Sequence, residues 1–375
     1  MKSLLSLVGG IALPLVATLV MTSNVAVADN LVPTTKKYLQ SLKLSEDVMN
    51  GLDQDLTVPQ EWLDGANKEG TVKVMGTWTS KEFGVLNAPF AERFPKVKVV
   101  YTEGKTMNAR AVAPLVAFKQ GQFLTDVLTG FGGAAVEFKA AKALEPVTGL
   151  PGFKNQVDGA NDPDGTWAAL RMRYWCIGYN TNAIKEADMP KTWDDLLESP
   201  VLRNGNLGIG NRPQLWVLML RTDKGKEWTE NFLDKFFNVV KPQFRNEGMD
   251  ALLGILAAGE VNAALPTAEY NIKGFETKGA PVAWHCPEPV PLAPSQLGIM
   301  QGNPHPNAAR VWTNWMLSRE GQVAQFVADG SPPSHKGLQT KDFLPYADQI
   351  IGKKLIQADE QYNREMYAMW QKYWK

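Results

Sequence analysis

Between positions 71 and 75 apolar and polar residues alternate in "TVKVM", the pattern of a strand with one buried face. The period then changes to that of an amphipathic helix in "TSKEFGVLNAPFAERF", where Thr79 followed three residues on by Glu82 supplies a capping-box start. The same succession returns twice. "KVKVVYTEG" predicts a strand and "TMNARAVAPLVAFKQG" a helix, and "TDVLTGFGG" a strand and "AAVEFKAAKAL" a helix. Strands alternating with helices predict a mostly parallel sheet flanked by helices, and in such sheets ligands gather beyond the carboxyl ends of the strands. Residues 77–81, 103–108 and 130–133 are therefore expected on one rim.

A second α/β unit follows "WAALRMRYWCIGYNTNAI". It holds the helix "TWDDLLESP", the strand "NLGIG", and "NRPQLWVLMLRT", in which Pro213 suits a first helical turn. Helices near "TENFLDKFFNVV" and "GMDALLGILAAGE" precede the strand "VNAALP", and the chain closes in helices that include the aromatic tail "EQYNREMYAMWQKYWK". Ahead of both units, residues 29–70 read as a helical preface. No repeat or low-complexity linker separates the units, so the chain is expected to cross between them more than once.

The first residues set the compartment. "MKSLLSLVGGIALPLVATLVM" followed by Ala26-Val27-Ala28 reads as a secretory signal peptide, residues 1–28, cut after Ala28; Gly9, Gly10, Pro14 and the small-residue cleavage site distinguish it from a transmembrane anchor. The mature product is expected in the periplasm, without insertion in the membrane. The 375 residues suffice for two cores, and 39 basic residues balance 39 acidic ones, which gives no electrostatic reason to expect nucleic acid as a partner. The only two cysteines, Cys176 and Cys286, are candidates for one disulfide in an exported protein, the alternative being two buried thiols.

An enzyme finds little support. His285, His305 and His335 sit in no metal-binding helical spacing, and neither a G-x-S-x-G nor a Walker-type phosphate loop occurs. "GFGG" lacks the third glycine of a dinucleotide fingerprint. His285 beside Cys286 hints at a thiol nucleophile, but a cysteine on a strand is more plausibly structural.

In their order, "VKVMGTWTSKEF", "TDVLTGFGG", "YWCIGYNT" with "MPKTWDDLLESP", "LLGILAAGEVNAAL" and "WTNWMLSREGQ" resemble the periplasmic solute-binding proteins of ABC importers, in the branch of ferric-ion, phosphonate and polyamine binders. The resemblance spans most of residues 70–337. It implies a two-lobed periplasmic-binding-protein-like type II fold, each lobe a mixed, mostly parallel α/β sheet flanked by helices and joined to the other by hinge strands. The expected lobes are 71–177 plus 287–326, and 178–286 plus 327–375. It also implies a monomer that captures a small-molecule solute by hinge closure, needs no cofactor and delivers its cargo to a membrane permease. Cys176 and Cys286 resemble positions on the outgoing and returning crossings of the hinge.

In ferric-binding members two adjacent tyrosines follow the strand that corresponds to "VNAALP". Here Glu269 and Tyr270 stand in those places, so a ferric ion held by a carboxylate and a phenolate is the alternative cargo. Basic residues favour an organic anion such as a carboxylate or phosphonate: Lys81 and Lys105 at helix starts, Arg171 and Arg173 before the crossing strand, and Arg212 beside Asn211 at a strand-to-helix turn. Trp78, Phe131, Trp175 and Tyr270 are expected to wall the pocket, with core packing as the plainer reading of each tryptophan. Thr77, Thr79, Ser80, Asn108, Gly130 and Gly132 complete the expected contacts, and Glu103 with Glu269 would suit a polyamine.

Overall fold

The computed structural model describes residues 31–374; the signal-peptide expectation lies outside them. Four strands, β1 (Thr71–Gly76), β2 (Lys98–Glu103), β3 (Val127–Thr129) and β4 (Ala168–Arg171), form most of a first sheet. The second sheet holds β5 (Trp175–Asn180), β6 (Leu207–Gly210), β7 (Gln243–Arg245), β8 (Ala263–Ala268) and β9 (Val282–His285). A short β10 (Val290–Pro291) leads to β11 (Ser295–Ile299), which returns to the first sheet, and β12 (Leu355–Ile356) pairs with β10.

The sheet orders are β2-β1-β3-β11-β4 and β7-β6-β8-β5-β9. In the first, β1 runs parallel to β2 and β3, while β11 is antiparallel to β3 and β4. In the second, β6 runs parallel to β7 and β8, and β5 is antiparallel to β8 and β9. Both are mixed sheets flanked by helices, as the fold class requires. Short apolar runs such as β3, β4 and β8 are buried at every position, as strands covered on both faces must be.

Local chemistry fixes the ends of elements. The Thr79 hydroxyl accepts from the Glu82 amide at 3.2 Å and the Glu82 carboxylate accepts from the Thr79 amide at 2.8 Å, closing the capping box of helix Ser80–Arg93. Thr192 and Asp195 do the same for helix Trp193–Glu198. The preface, with helices Pro33–Leu42 and Gln60–Glu69, packs on the first lobe. There the Glu69 carboxylate accepts from the Asn307 and Ala308 amides at 3.1 and 2.7 Å, capping helix Pro306–Leu317.

The crossings between lobes lie side by side. Residues 172–174 carry the chain from β4 to β5. Beside them Leu292 bridges to Tyr174, and the Ala293 amide donates to the Arg173 carbonyl at 2.8 Å. The chain passes over again near residue 343, since Phe343 belongs to the first lobe's packing and Leu344 to the second's. A division after Ile177 would cut β5, which sits wholly in the second sheet, and one after Phe326 would cut helix Arg319–Asp329, which packs on helix Ser80–Arg93 of the first lobe. The backbone pairing of β5 with β8 and β9 moves the outgoing boundary back to residues 172–174.

Cys176 and Cys286 form a disulfide, with Cα atoms 5.0 Å apart. β5 pairs with β9 through Ile177 and His285, so the next position along each strand brings the two sulfurs together. The bridge thus ties β5 to the chain just beyond β9 within the second lobe, one step from the crossing rather than on it.

Candidate functional site

A cavity of about 480 Å³ lies where the lobes face each other. Thr77 at the end of β1 and Gly130, Gly132 and Gly133 beyond β3 supply one wall. Arg171, Arg173 and Trp175 line it from the outgoing crossing, and Leu292, Ser295 and Gln296 from the returning one. Gln214, Leu215 and Met219 come from the second lobe, and Gln357 and Glu360 from the C-terminal segment. The carboxyl ends of parallel strands and the crossing between lobes are where ligand sites form in such sheets.

Three arginines meet here in different states. Arg171 is buried, ion-paired to Asp329, and donates from Nη2 to the Thr77 hydroxyl at 2.5 Å, with its guanidinium 5.4 Å from the Trp78 ring centroid. Burial lowers its pKa to about 10 against the opposing pull of Asp329, so it remains a cation at neutral pH. Arg110, in the π-helical turn Asn108–Val112, donates from Nε to the Gly130 carbonyl at 2.7 Å and from Nη1 to the Gly104 carbonyl at 3.2 Å. It braces two rim loops; a Cβ on Gly104 would come within 2.5 Å of its own Cβ, so glycine is required there. Burial, then Arg173, lowers the pKa of Arg110.

Arg173 is the cation with spare capacity. Its guanidinium lies over the Tyr270 ring at 5.4 Å, and its Nε is buried without an acceptor among the described residues. The Trp175 indole N–H, on a side chain 7% exposed, also lacks one, as does Arg171 Nε. Buried donors are almost always paired in folded proteins, so unpaired ones gathered around a cavity mark a place for acceptor atoms. At the rim, Gln296 Oε1 already accepts from the Gly132 amide at 2.9 Å, where Gly132 has φ +55° and Gly130 has φ +64°. Side chains rarely adopt that backbone region, which explains Gly130 and Gly132 of "GFGG".

Several expected contacts lie elsewhere. Trp78 is 1% exposed and packs with Phe83 and Tyr101; Phe131 packs with Phe138 in a neighbouring cluster. Thr79 is spent on its capping box, Ser80 and Lys81 face solvent, and Lys105 pairs with Glu103 at 3.7 Å on the surface. Asn108 is exposed at the start of the π turn. Asn211 Oδ1 accepts from the Trp370 indole at 2.9 Å, and Arg212 lies against Gly210 at the end of β6, outside the cavity lining.

Glu269 and Tyr270 do not line the cavity either. Glu269 is fully buried beneath the crossing, where Oε2 accepts from the Tyr174 amide at 2.8 Å and Oε1 has no partner among the described residues. Burial pushes its carboxyl up to about 8 despite that bond. Burial likewise raises the Tyr270 pKa, which disfavours the phenolate a ferric ion needs. Among the described residues no group of three or more His, Cys, Asp or Glu side chains could hold a metal ion.

Arg110, Gln214, Gln296 and Glu360 line the cavity without a signal in the sequence. Arg110 sits inside a helix rather than at its start, and Gln296 and Glu360 arrive from segments far along the chain.

The fold recurs in known structures. Iron-bound HitA from Pseudomonas aeruginosa is 20% identical with a TM-score of 0.63, over 80% of this chain and 98% of that one. A putative extracellular solute-binding protein from Bordetella parapertussis is 18% identical with a TM-score of 0.68, over 82% and 99%. The IdiA (FutA) protein of Trichodesmium, in complex with iron and citrate, is 16% identical with a TM-score of 0.67, over 82% and 100%. At these identities the likeness concerns the fold. No curated protein matches the chain by sequence. Residues 77–323, which hold the second sheet, all of the first but β1, and most of the cavity lining, match the bacterial extracellular solute-binding proteins, and the chain belongs to that family.

Proposed function

We propose that the protein captures a small organic anion, carrying a carboxylate or phosphonate, in the cleft between its lobes and delivers it from the periplasm to the membrane permease of an ABC importer. As a member of a solute-binding family it carries a solute and is not an enzyme. The observation that carries the reading is the set of buried, unpartnered donors on Arg171, Arg173 and Trp175, all residues of the cavity lining. An anion with several acceptor oxygens would satisfy them at once, and hydrogen bonds from a cationic donor are the stronger kind. The walls from both lobes and from the crossings give such a ligand something to bridge, which favours the closed arrangement.

A bare ferric ion suits this cleft poorly. Glu269 is sealed in the core outside the cavity lining, Tyr270 is held as a neutral phenol, and about 480 Å³ lies within the ordinary range of organic-ligand sites. A polyamine would meet three arginines, with Glu103 on the surface and Glu269 sealed in the core.

A thermal-shift screen against small carboxylates, phosphonates, polyamines and ferric citrate tests the reading. A ligand at a hundredfold its dissociation constant stabilises by about 2.7 kcal/mol. Stabilisation by a metal-free anion that persists with a chelator present is the expected result. Stabilisation by ferric ion alone, or by polyamines alone, overturns it.

A further inference from the structure

The cavity lining carries both signs of charge. Arg173 Nε and Trp175 Nε1 are buried without acceptors, and Arg110 and Arg171 share the lining with them. Glu360, contributed by the C-terminal segment, belongs to the same lining. Its carboxylate oxygen comes within 3.4 Å of where a Cβ on Gly133 would lie, so the tail reaches across to the first lobe's rim. The segment itself is anchored in the second lobe's core by Ile356, Met366 and Trp370.

Glu360 has no ion-pair or hydrogen-bond partner for its carboxylate among the described residues, although it is partly buried. Burial raises its pKa first, and the neighbouring charges that add to the effect are Asp359 and Glu137 rather than the arginines. A simple anion at Arg173 would leave Glu360 uncompensated when water is excluded from the cleft, a costly state for a carboxylate. A polycation would leave the arginines in the same position.

Resting on the reading of the cleft as an anion site, we infer that the solute is a zwitterion, with its anionic group on Arg173 and Trp175 and an ammonium group on Glu360. A cavity of about 480 Å³ equals roughly fifteen water volumes, enough for a short chain that carries both groups. Because Glu360 is mounted on the second lobe and faces the first lobe's rim, the ammonium contact would also help hold the lobes together. The C-terminal segment thereby becomes a determinant of specificity.

Calorimetric titration of the purified protein with matched probes tests this: γ-aminobutyrate against butyrate, and aminopropylphosphonate against propylphosphonate. The native protein should bind the amine-bearing member of each pair about tenfold or more tightly, as a charge-assisted bond implies. Glu360→Gln should erase that preference, weakening the amine-bearing probes and tightening the amine-free ones, which no longer strand a carboxylate. Arg173→Ala should weaken all four. If the native protein shows no preference for the amine, or Glu360→Gln retains it, the zwitterion inference fails, while a loss on Arg173→Ala keeps the anion reading. If no probe binds at millimolar concentration, or Arg173→Ala changes nothing, both fail.

Discussion

The guanidinium of Arg173 rests over the ring of Tyr270, with 5.4 Å between its central carbon and the ring centroid. An aromatic face can steady the cation without neutralising it as a carboxylate would, which leaves Nε available to the cleft. Arg173→Ala should therefore weaken an anionic ligand by about 1.5 to 3 kcal/mol, or roughly ten- to a hundredfold. Tyr270→Phe keeps the ring and should change affinity by less than about threefold, whereas Tyr270→Ala should cost about 0.5 to 2 kcal/mol. Calorimetry on the three variants separates these expectations; a large loss in Tyr270→Phe would show that the hydroxyl itself contacts the ligand.

The same relationship makes a statement about iron. With Tyr270 held as a neutral phenol by burial and Glu269 sealed in the core, ferric ion should not raise the unfolding midpoint in the absence of an organic anion. A visible phenolate-to-iron charge-transfer band on addition of ferric citrate, lost in Tyr270→Phe, is the outcome that contradicts this.

Glu269 also links stability to pH. Its folded pKa, about 8, lies above the ordinary 4.5, so the folded chain keeps a proton that the unfolded chain releases. Its stabilising contribution is full below about pH 4.5 and is lost as pH rises toward 8, at about 1.4 kcal/mol for each pH unit within that window. Glu269→Gln retains an acceptor for the Tyr174 amide without the ionisable group. Its unfolding midpoint should fall less steeply than the native one between pH 5 and 8, and overtake it at the alkaline end. Parallel curves for the two proteins would mean that Glu269 is ionised in the fold.

What was legible in the sequence follows from how local each signal is. The capping box of Thr79 and Glu82 and the strand periodicity of 71–75 depend on neighbours within a few residues, and both are found as read. Trp78 shows the limit: it follows a strand at the rim, yet the turn after Gly76 sends its ring back between Phe83 and Tyr101. Arg212 and Arg173 both flank strand ends, and only the crossing geometry aims the second at the cavity. Glu360 is more than two hundred residues from Gly133 in the chain and beside it in space, a pairing no local pattern can carry.

The Cys176–Cys286 bridge closes a loop of 110 residues within the second lobe. Loop-closure entropy assigns about 4 to 5 kcal/mol to such a link, and removal of native bridges typically costs about 2 to 5 kcal/mol. Replacing both cysteines with alanine should lower the unfolding midpoint by several degrees. Because neither cysteine lines the cavity and the β5 pairing holds the backbone of Trp175 without the bridge, ligand affinity should stay within about twofold. A larger change in affinity would place the bridge in the closing motion.

Asp55 fastens the preface to the first lobe. It is 2% exposed and accepts from the Arg319 amide at 3.0 Å, from Arg319 Nη1 at 2.8 and 2.9 Å, and from Asn155 Nδ2 at 2.9 Å, with His335 Nε2 nearby at 3.3 Å. Burial raises its pKa, but His335 and Arg319 outweigh that effect and leave it below the ordinary 3.8. Its contribution is thus present above that pH and lost as acid reaches the folded value. Asp55→Ala strands the Arg319 cation and should cost about 3 to 5 kcal/mol, the scale for breaking a buried pair. Asp55→Asn should cost less, since it keeps acceptor capacity. Chemical denaturation measures both losses, and limited proteolysis should find the preface cut sooner in Asp55→Ala. An unchanged denaturation midpoint would show that this cluster contributes nothing net to the fold.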